Sequence, residues 1–204
     1  QSSPIGSGFF HGVVSMSSSI SFKIEGISPL LMHNGQLANP LNPLVKQMKS
    51  LTGQRKKTDE VHAELSRLEF RAGLYLSPSG QVEIPSEVLE SCLIEGAKKS
   101  KLGKQFKSAI AIMQNSPLDY GEQLTVDELW ERNEEFADVR GVKVGTSRIM
   151  RTRPIFRVWG LEFEVSFNAD LVNPEQIMLA VDDAGAQVGL CDYRPKFGRF
   201  QIVK

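Results

Sequence analysis

At 204 residues the chain has room for one domain with insertions and for a sizeable buried core. Its composition, 41% hydrophobic and 24% charged, is that of a globular protein, and no window reaches the roughly 18 consecutive apolar residues that a membrane helix needs. Formal net charge is zero, and the two cysteines, Cys92 and Cys191, form no C-x-x-C pair of the kind that marks zinc or dithiol chemistry, which fits a reducing cytoplasm.

Residues 1–15, QSSPIGSGFFHGVVS, are rich in Ser and Gly and lack the basic start of a secretory signal. They read as a cloning remnant or an upstream extension, with Met16 as the candidate start. The stretch ISFKIEG, residues 20–26, alternates apolar and polar side chains and predicts the first core strand. Prolines and Asn/Gly breakers then take the chain out of the sheet before a short helical run, and TDEVHAELSRLEF at 58–70 predicts an amphipathic helix with acids at its start.

GLYLSPSGQVEIP predicts two short strands around Pro78-Ser79-Gly80, followed by a helix capped by Ser86, with Val88, Leu89, Cys92, Leu93 and Ala97 on its apolar stripe. From Asp119 to Asp138 there are eight acids against Arg132 alone, the pattern of a solvated insertion. Trp159, Leu161, Phe163, Val165 and Phe167 alternate as a strand. Asn173, Pro174 and Gln176 open a helix expected to stop at Gly185, and FGRFQIV closes the chain as a last strand. Strand, helix, insertion, strand, helix, strand is the order of an α+β, ferredoxin-like sandwich with helices on one face of an antiparallel sheet.

The zero net charge conceals segregation. Lys46, Lys49, Arg55, Lys56 and Lys57 form one run, and Lys98, Lys99, Lys101, Lys104 and Lys107 a second. Arg140, Lys143, Arg148, Arg151, Arg153 and Arg157 form a third, and Arg194, Lys196 and Arg199 a fourth. Nineteen of the 24 cations therefore lie in four clusters, interleaved with Phe156, Tyr193 and Phe197. Cations for phosphates beside π-faces for splayed bases are what a single-stranded nucleic acid requires. In the third cluster Gly141, Gly145, Thr146 and Ser147 predict a hairpin tip, and the Arg148, Arg151, Arg153 group is expected to be the tightest part of the contact without supporting the fold. Each run also fits a plain solvated face.

Three stretches together, ISPLLMHNG after the first strand, EIPSEVLESCLIEGAKKSK opening the first core helix, and GLCDYRPKFGRF before the last strand, resemble the landmarks of the RAMP superfamily, the repeat-associated RNA-binding proteins of CRISPR effector complexes in antiviral defence. The resemblance spans residues 20–204. It implies an RNA-recognition-type core with insertions at about 33–70 and 104–157, the second in the place of a thumb-like hairpin. It also implies a subunit that lies side by side with copies of itself in a head-to-tail array along a single strand, RNA more than DNA, with other effector-complex subunits as further partners. On this reading Gly189 and Gly198 let backbone approach the ligand while Arg194, Lys196 and Arg199 meet its phosphates. The same residues also fit a turn and bulge before an edge strand, with Tyr193 and Phe197 in the core.

Cleaving members of that superfamily carry an aspartate in the loop after the first strand. Here the comparable stretch reads Asn42-Pro43, or alternatively Asn39-Pro40, and an amide cannot replace a carboxylate in metal-assisted cleavage. Binding without cutting is the expectation, with no cofactor and no metal, and Asp192 is read as a turn residue or a partner of Arg194. Two alternatives remain: a metal-independent endoribonuclease using His33 or His62 as base, and a structural assembly protein of a phage or other complex whose basic loops meet the acidic 119–138 segment of a neighbour.

Overall fold

The computed structural model describes residues 18–203; the readings made for residues 1–15 and for Met16 lie outside them. Strand β1 (Ser18–Gly26) turns Phe22 and Ile24 inward and Lys23 and Glu25 to solvent, as its alternation requires. After the short β2 (Leu30–Leu31) come helices α1 (Pro43–Thr52) and α2 (Asp59–Gly73). The start of α1 is set locally: Pro43 holds the first helical position and Asn42 Oδ1 accepts the Leu44 N–H. A turn at Gly80, whose φ of 85° favours glycine, leads into β3 (Glu83–Ile84) and α3 (Ser86–Ala97). Next follow α4 (Gly103–Ala109), β4 (Ile110–Ala111), β5 (Ser116–Pro117), α5 (Val126–Glu131) and α6 (Asn133–Phe136). The long hairpin β6 (Ala137–Val144) and β7 (Ser147–Phe156) precedes β8 (Gly160–Phe167). Helix α7 (Pro174–Asp183), opened by a complete capping box between Asn173 and Gln176, leads to β9 (Phe200–Ile202).

The fold is α+β with antiparallel sheets. The larger sheet has the order β4-β8-β1-β9, and β1 pairs with β8 from Ser18 opposite Phe167 to Glu25 opposite Gly160. Helices α3 and α7 cover one face, where Leu89, Leu93, Ile177 and Val181 meet Ile24, Phe163 and Val165. The two helices touch closely, since a Cβ at Gly96 would stand 2.4 Å from the Ala180 carbonyl. The other face carries Ser21, Lys23, Glu25, Glu162 and Glu164, all exposed, with Lys23 bonded to Glu162. A second sheet, β2-β7-β6, stands beside the first, with α2 across β7 and α1 on α2 around Val45, Met48, Leu68 and Ala72.

Three local expectations change. Ser86 is the first residue of α3, not its cap; Pro85 takes the cap position, and the Ser86 N–H is satisfied across the fold by Asn115 Oδ1. Helix α7 ends at Asp183 and continues through a π-helical turn, Ala184–Val188, in which Gly185 lets the chain lie where a Cβ would be 2.3 Å from the Phe200 carbonyl. The acidic segment is no solvated insertion. It buries Leu129 and Phe136 in the main core and sets Tyr120 against Phe156 at 5.0 Å. Asp127, Glu128, Glu131, Glu134 and Glu135 occupy outward positions of its short helices, Arg132 joins Glu122 and Glu135, and Asp127 takes Arg67.

Candidate nucleic-acid interface

The glycine-rich loop before β9 is closed at its base by the Leu190 N–H donating to the Gly198 carbonyl at 2.8 Å. Gly189 (φ 82°) and Gly198 (φ 73°) lie in the left-handed region, and a Cβ on Gly198 would meet Leu190 O at 2.0 Å. Both are buried against the chain's own backbone, so they shape the turn and, contrary to the expectation from the sequence, do not open it to a ligand. The loop is then pinned to β2, with Asp192 N–H on Leu31 O and Gly198 N–H on Pro29 O. Cys92 Sγ on α3 donates to the Gly189 carbonyl. Burial pushes the thiols of Cys92 and Cys191 up to about 12, so neither supplies a thiolate near neutral pH. Phe197 is core, packed on Leu31 and Ile155, whereas Tyr193 is 51% exposed and meets Phe197 edge-on.

The hairpin divides the third basic cluster. At its base Arg140 bonds Asp138 and lies over the rings of Tyr193 and Phe197, 5.3 and 4.9 Å from their centroids. Arg151 bonds Glu69 of α2, a buried carboxylate that also accepts the Thr152 N–H at 2.9 Å. Arg153 pairs with Asp192 at 3.1 Å, so the partner of Asp192 is Arg153 and not the adjacent Arg194. Only the tip is free: Lys143 stands opposite Arg148 beside a turn with Gly145 at φ 59°, and both cations are exposed. Arg148, Arg151 and Arg153 are therefore not one equivalent group. Two of the three hold carboxylates that anchor the hairpin.

Members of all four basic clusters nevertheless meet along one band. Lys49, Lys143, Arg151 and Arg153 border a cleft with His33, and Arg153 leads through Asp192 to the glycine-rich loop. There Arg140 covers Tyr193, and Tyr193, Arg194 and Lys99 border one depression. Lys196 is exposed with its ammonium 6.0 Å from the Phe197 ring, and Arg199 is exposed while its backbone carbonyl accepts the Ile27 and Ser28 N–H groups. Lys98 bonds Glu95. Lys101, in a left-handed turn, Lys104 on α4 and Arg157 beyond β7 are exposed and, among the described residues, border neither the cleft nor the depression.

The two asparagines of the candidate catalytic loop serve local backbone structure. Asn42 caps α1 and its Nδ2 donates to Gln36 Oε1, while Asn39 Oδ1 accepts the Leu41 N–H. His33 lies beside Asp192 and Arg153; burial lowers its pKa and the two arginines add to this against the pull of Asp192. Its backbone carbonyl accepts the Tyr75 hydroxyl. His62 is exposed on α2. Among the described residues no three His, Cys, Asp or Glu side chains are grouped to hold a metal, and no helix is long and apolar enough to cross a membrane.

Glu69 and Asp138 are the functional neighbours that sequence patterning overlooks. Glu69 had a signal, a charged residue between Leu68 and Phe70 at the end of an amphipathic helix, where both flanking residues are buried. No protein-family model matches the chain, and no curated protein matches it.

Proposed function

We propose that this chain is a single-stranded nucleic-acid-binding subunit, for RNA in preference to DNA, that lies side by side with its own copies along the strand and does not cut it. The observation that carries this reading is the meeting of cations from four separate stretches of sequence on one band, beside the exposed ring of Tyr193. The strand order supports a ferredoxin-like core of RAMP type: β1, β4, β8 and β9 follow the pattern βαββαβ, with the first and third core strands central. The preference for RNA and the head-to-tail array follow from that resemblance. Nucleic acid is assigned to the band and not to the open sheet face, because that face offers glutamates and no aromatic ring.

Fluorescence anisotropy with labelled single-stranded RNA, single-stranded DNA and duplex of equal length tests the reading. At a slope of roughly 0.7 per phosphate, about five neutralised phosphates give a log–log salt dependence near −3.5. Affinity for single strands that hardly changes from low to moderate salt would sink the proposal. Incubation with magnesium or manganese is expected to leave the strand intact, and products that vanish in His33→Ala would restore the endoribonuclease reading.

The assembly-protein alternative draws on one feature, the exposed Glu131, Glu134 and Glu135 of the acidic segment. Salt-sensitive self-association of nucleic-acid-free protein, with no binding to single strands, would favour it.

A further inference from the structure

We propose that the cleft between α1, α2 and the β6–β7 hairpin is a binding site for a free nucleoside phosphate, a small ligand that shares the cleft's cations with the strand and competes with it there. The cleft encloses about 550 Å³, within the roughly 300–1,000 Å³ of small-molecule sites. Its walls differ in chemistry. Val45 and Met48 of α1 and Val142 of β6 give it aliphatic sides, whereas Lys49, Lys143 and Arg151 stand among its bordering residues. An aliphatic slot takes a planar ring, and cations beside it take an oxyanion.

Three details favour a phosphate over a neutral ligand. Neither Lys49 nor Lys143 is ion-paired among the described residues. Glu69 spends its oxygens on Arg151 and the Thr152 N–H, so it orients the guanidinium without offering a free carboxylate to repel the ligand. Arg153, which also borders the cleft, has its Nε 3.1 Å from Asp192 Oδ2, both atoms buried with no other partner, and its Nη1 buried without a hydrogen-bond acceptor. A buried donor left unpaired is costly, and a phosphate or ribose oxygen would satisfy Nη1. His33, its pKa lowered, stays neutral at pH 7 and offers one ring donor and one acceptor to a sugar or base. A bare phosphate would leave the aliphatic slot unused, and a nucleoside would leave the cations unused.

Calorimetric titration of the full chain with AMP, GMP, CMP and UMP tests the site, with adenosine and inorganic phosphate as the two halves of the ligand. At least one nucleotide is expected to bind, and each half to bind at least about tenfold more weakly. Lys49→Glu, an exposed position, and Val142→Asp are each expected to weaken nucleotide binding by about tenfold or more, with melting curves reporting that the chain remains folded. Arg148→Ala is expected to leave nucleotide affinity unchanged. Failure of every nucleotide to bind in the millimolar range overturns the proposal. So does equal binding of inorganic phosphate, or nucleotide binding indifferent to both cleft variants. The site does not rest on strand binding: a chain that ignores single strands yet takes a nucleotide here refutes the function above and keeps this site.

Discussion

The two ends of the β6–β7 hairpin are built from similar residues and do different things. At the base, Arg140, Arg151 and Arg153 each hold a carboxylate, and those carboxylates come from the same strand, from α2 and from the glycine-rich loop respectively. At the tip, Lys143 and Arg148 face each other across the ladder and point to solvent. An arginine paired with a buried acid has exchanged its solvation for a fixed geometry and mainly holds the fold together. A cation at an exposed tip keeps its counterions until a phosphate displaces them. Arginine density along a sequence therefore says little about binding until the acids that meet it are known.

The largest expected effect tests whether the base is an anchor at all. Gly198→Ala forces a left-handed φ on an alanine and drives its Cβ into a backbone carbonyl, so a loss of about 3 kcal/mol or more is expected in chemical denaturation. Unchanged stability would mean that the loop is not pinned as described. Glu69→Ala should follow at about 2–3 kcal/mol, because it strips a buried carboxylate from Arg151 and the Thr152 N–H. Arg151 is 41% exposed, which keeps the value at the lower end of the range for broken ion pairs.

Arg153→Ala should cost about 1–2 kcal/mol, since Asp192 is itself 32% exposed and regains water when its partner leaves. Hydrogen exchange in residues 190–198 is the sharper readout, and protection equal to the parent there would break the link between hairpin and loop. At the tip the expectation reverses. Lys143→Ala combined with Arg148→Ala should change stability by less than about 0.5 kcal/mol while lowering the salt slope of strand binding by about 1.4, at roughly 0.7 per lost phosphate contact. A stability loss matching the base variants would erase the distinction between the two ends.

The smallest effect concerns His33. Its folded pKa lies below the ordinary 6.5, so as the pH falls through 6.5 the unfolded chain takes up the proton before the folded chain does, and stability declines toward lower pH. His33→Gln should flatten that decline between about pH 7 and pH 5. Equal slopes in parent and variant would remove His33 from the charged end of the hairpin.

What the residues alone determined is the set of features carried by local periodicity and capping. The alternation in β1 and β8, the amphipathic stripe of α3 and the Asn173-Pro174-Gln176 start of α7 each follow from a few neighbouring side chains, and the strands and helices appear where those patterns put them. So do the glycines of the C-terminal loop, because a positive φ and a backbone close approach can be met only by the residue without a Cβ. The tertiary structure alone decided what the charges do. Glu69 is 82 residues from Arg151, Asp192 is 39 from Arg153, and Lys49 and Lys143 share a cleft across 94 positions. It likewise turned the acidic segment into a core element by burying the minority of its side chains that are apolar. Periodicity is a property of adjacent residues, whereas ion pairing and burial depend on which distant segments the chain brings within a few ångströms of one another.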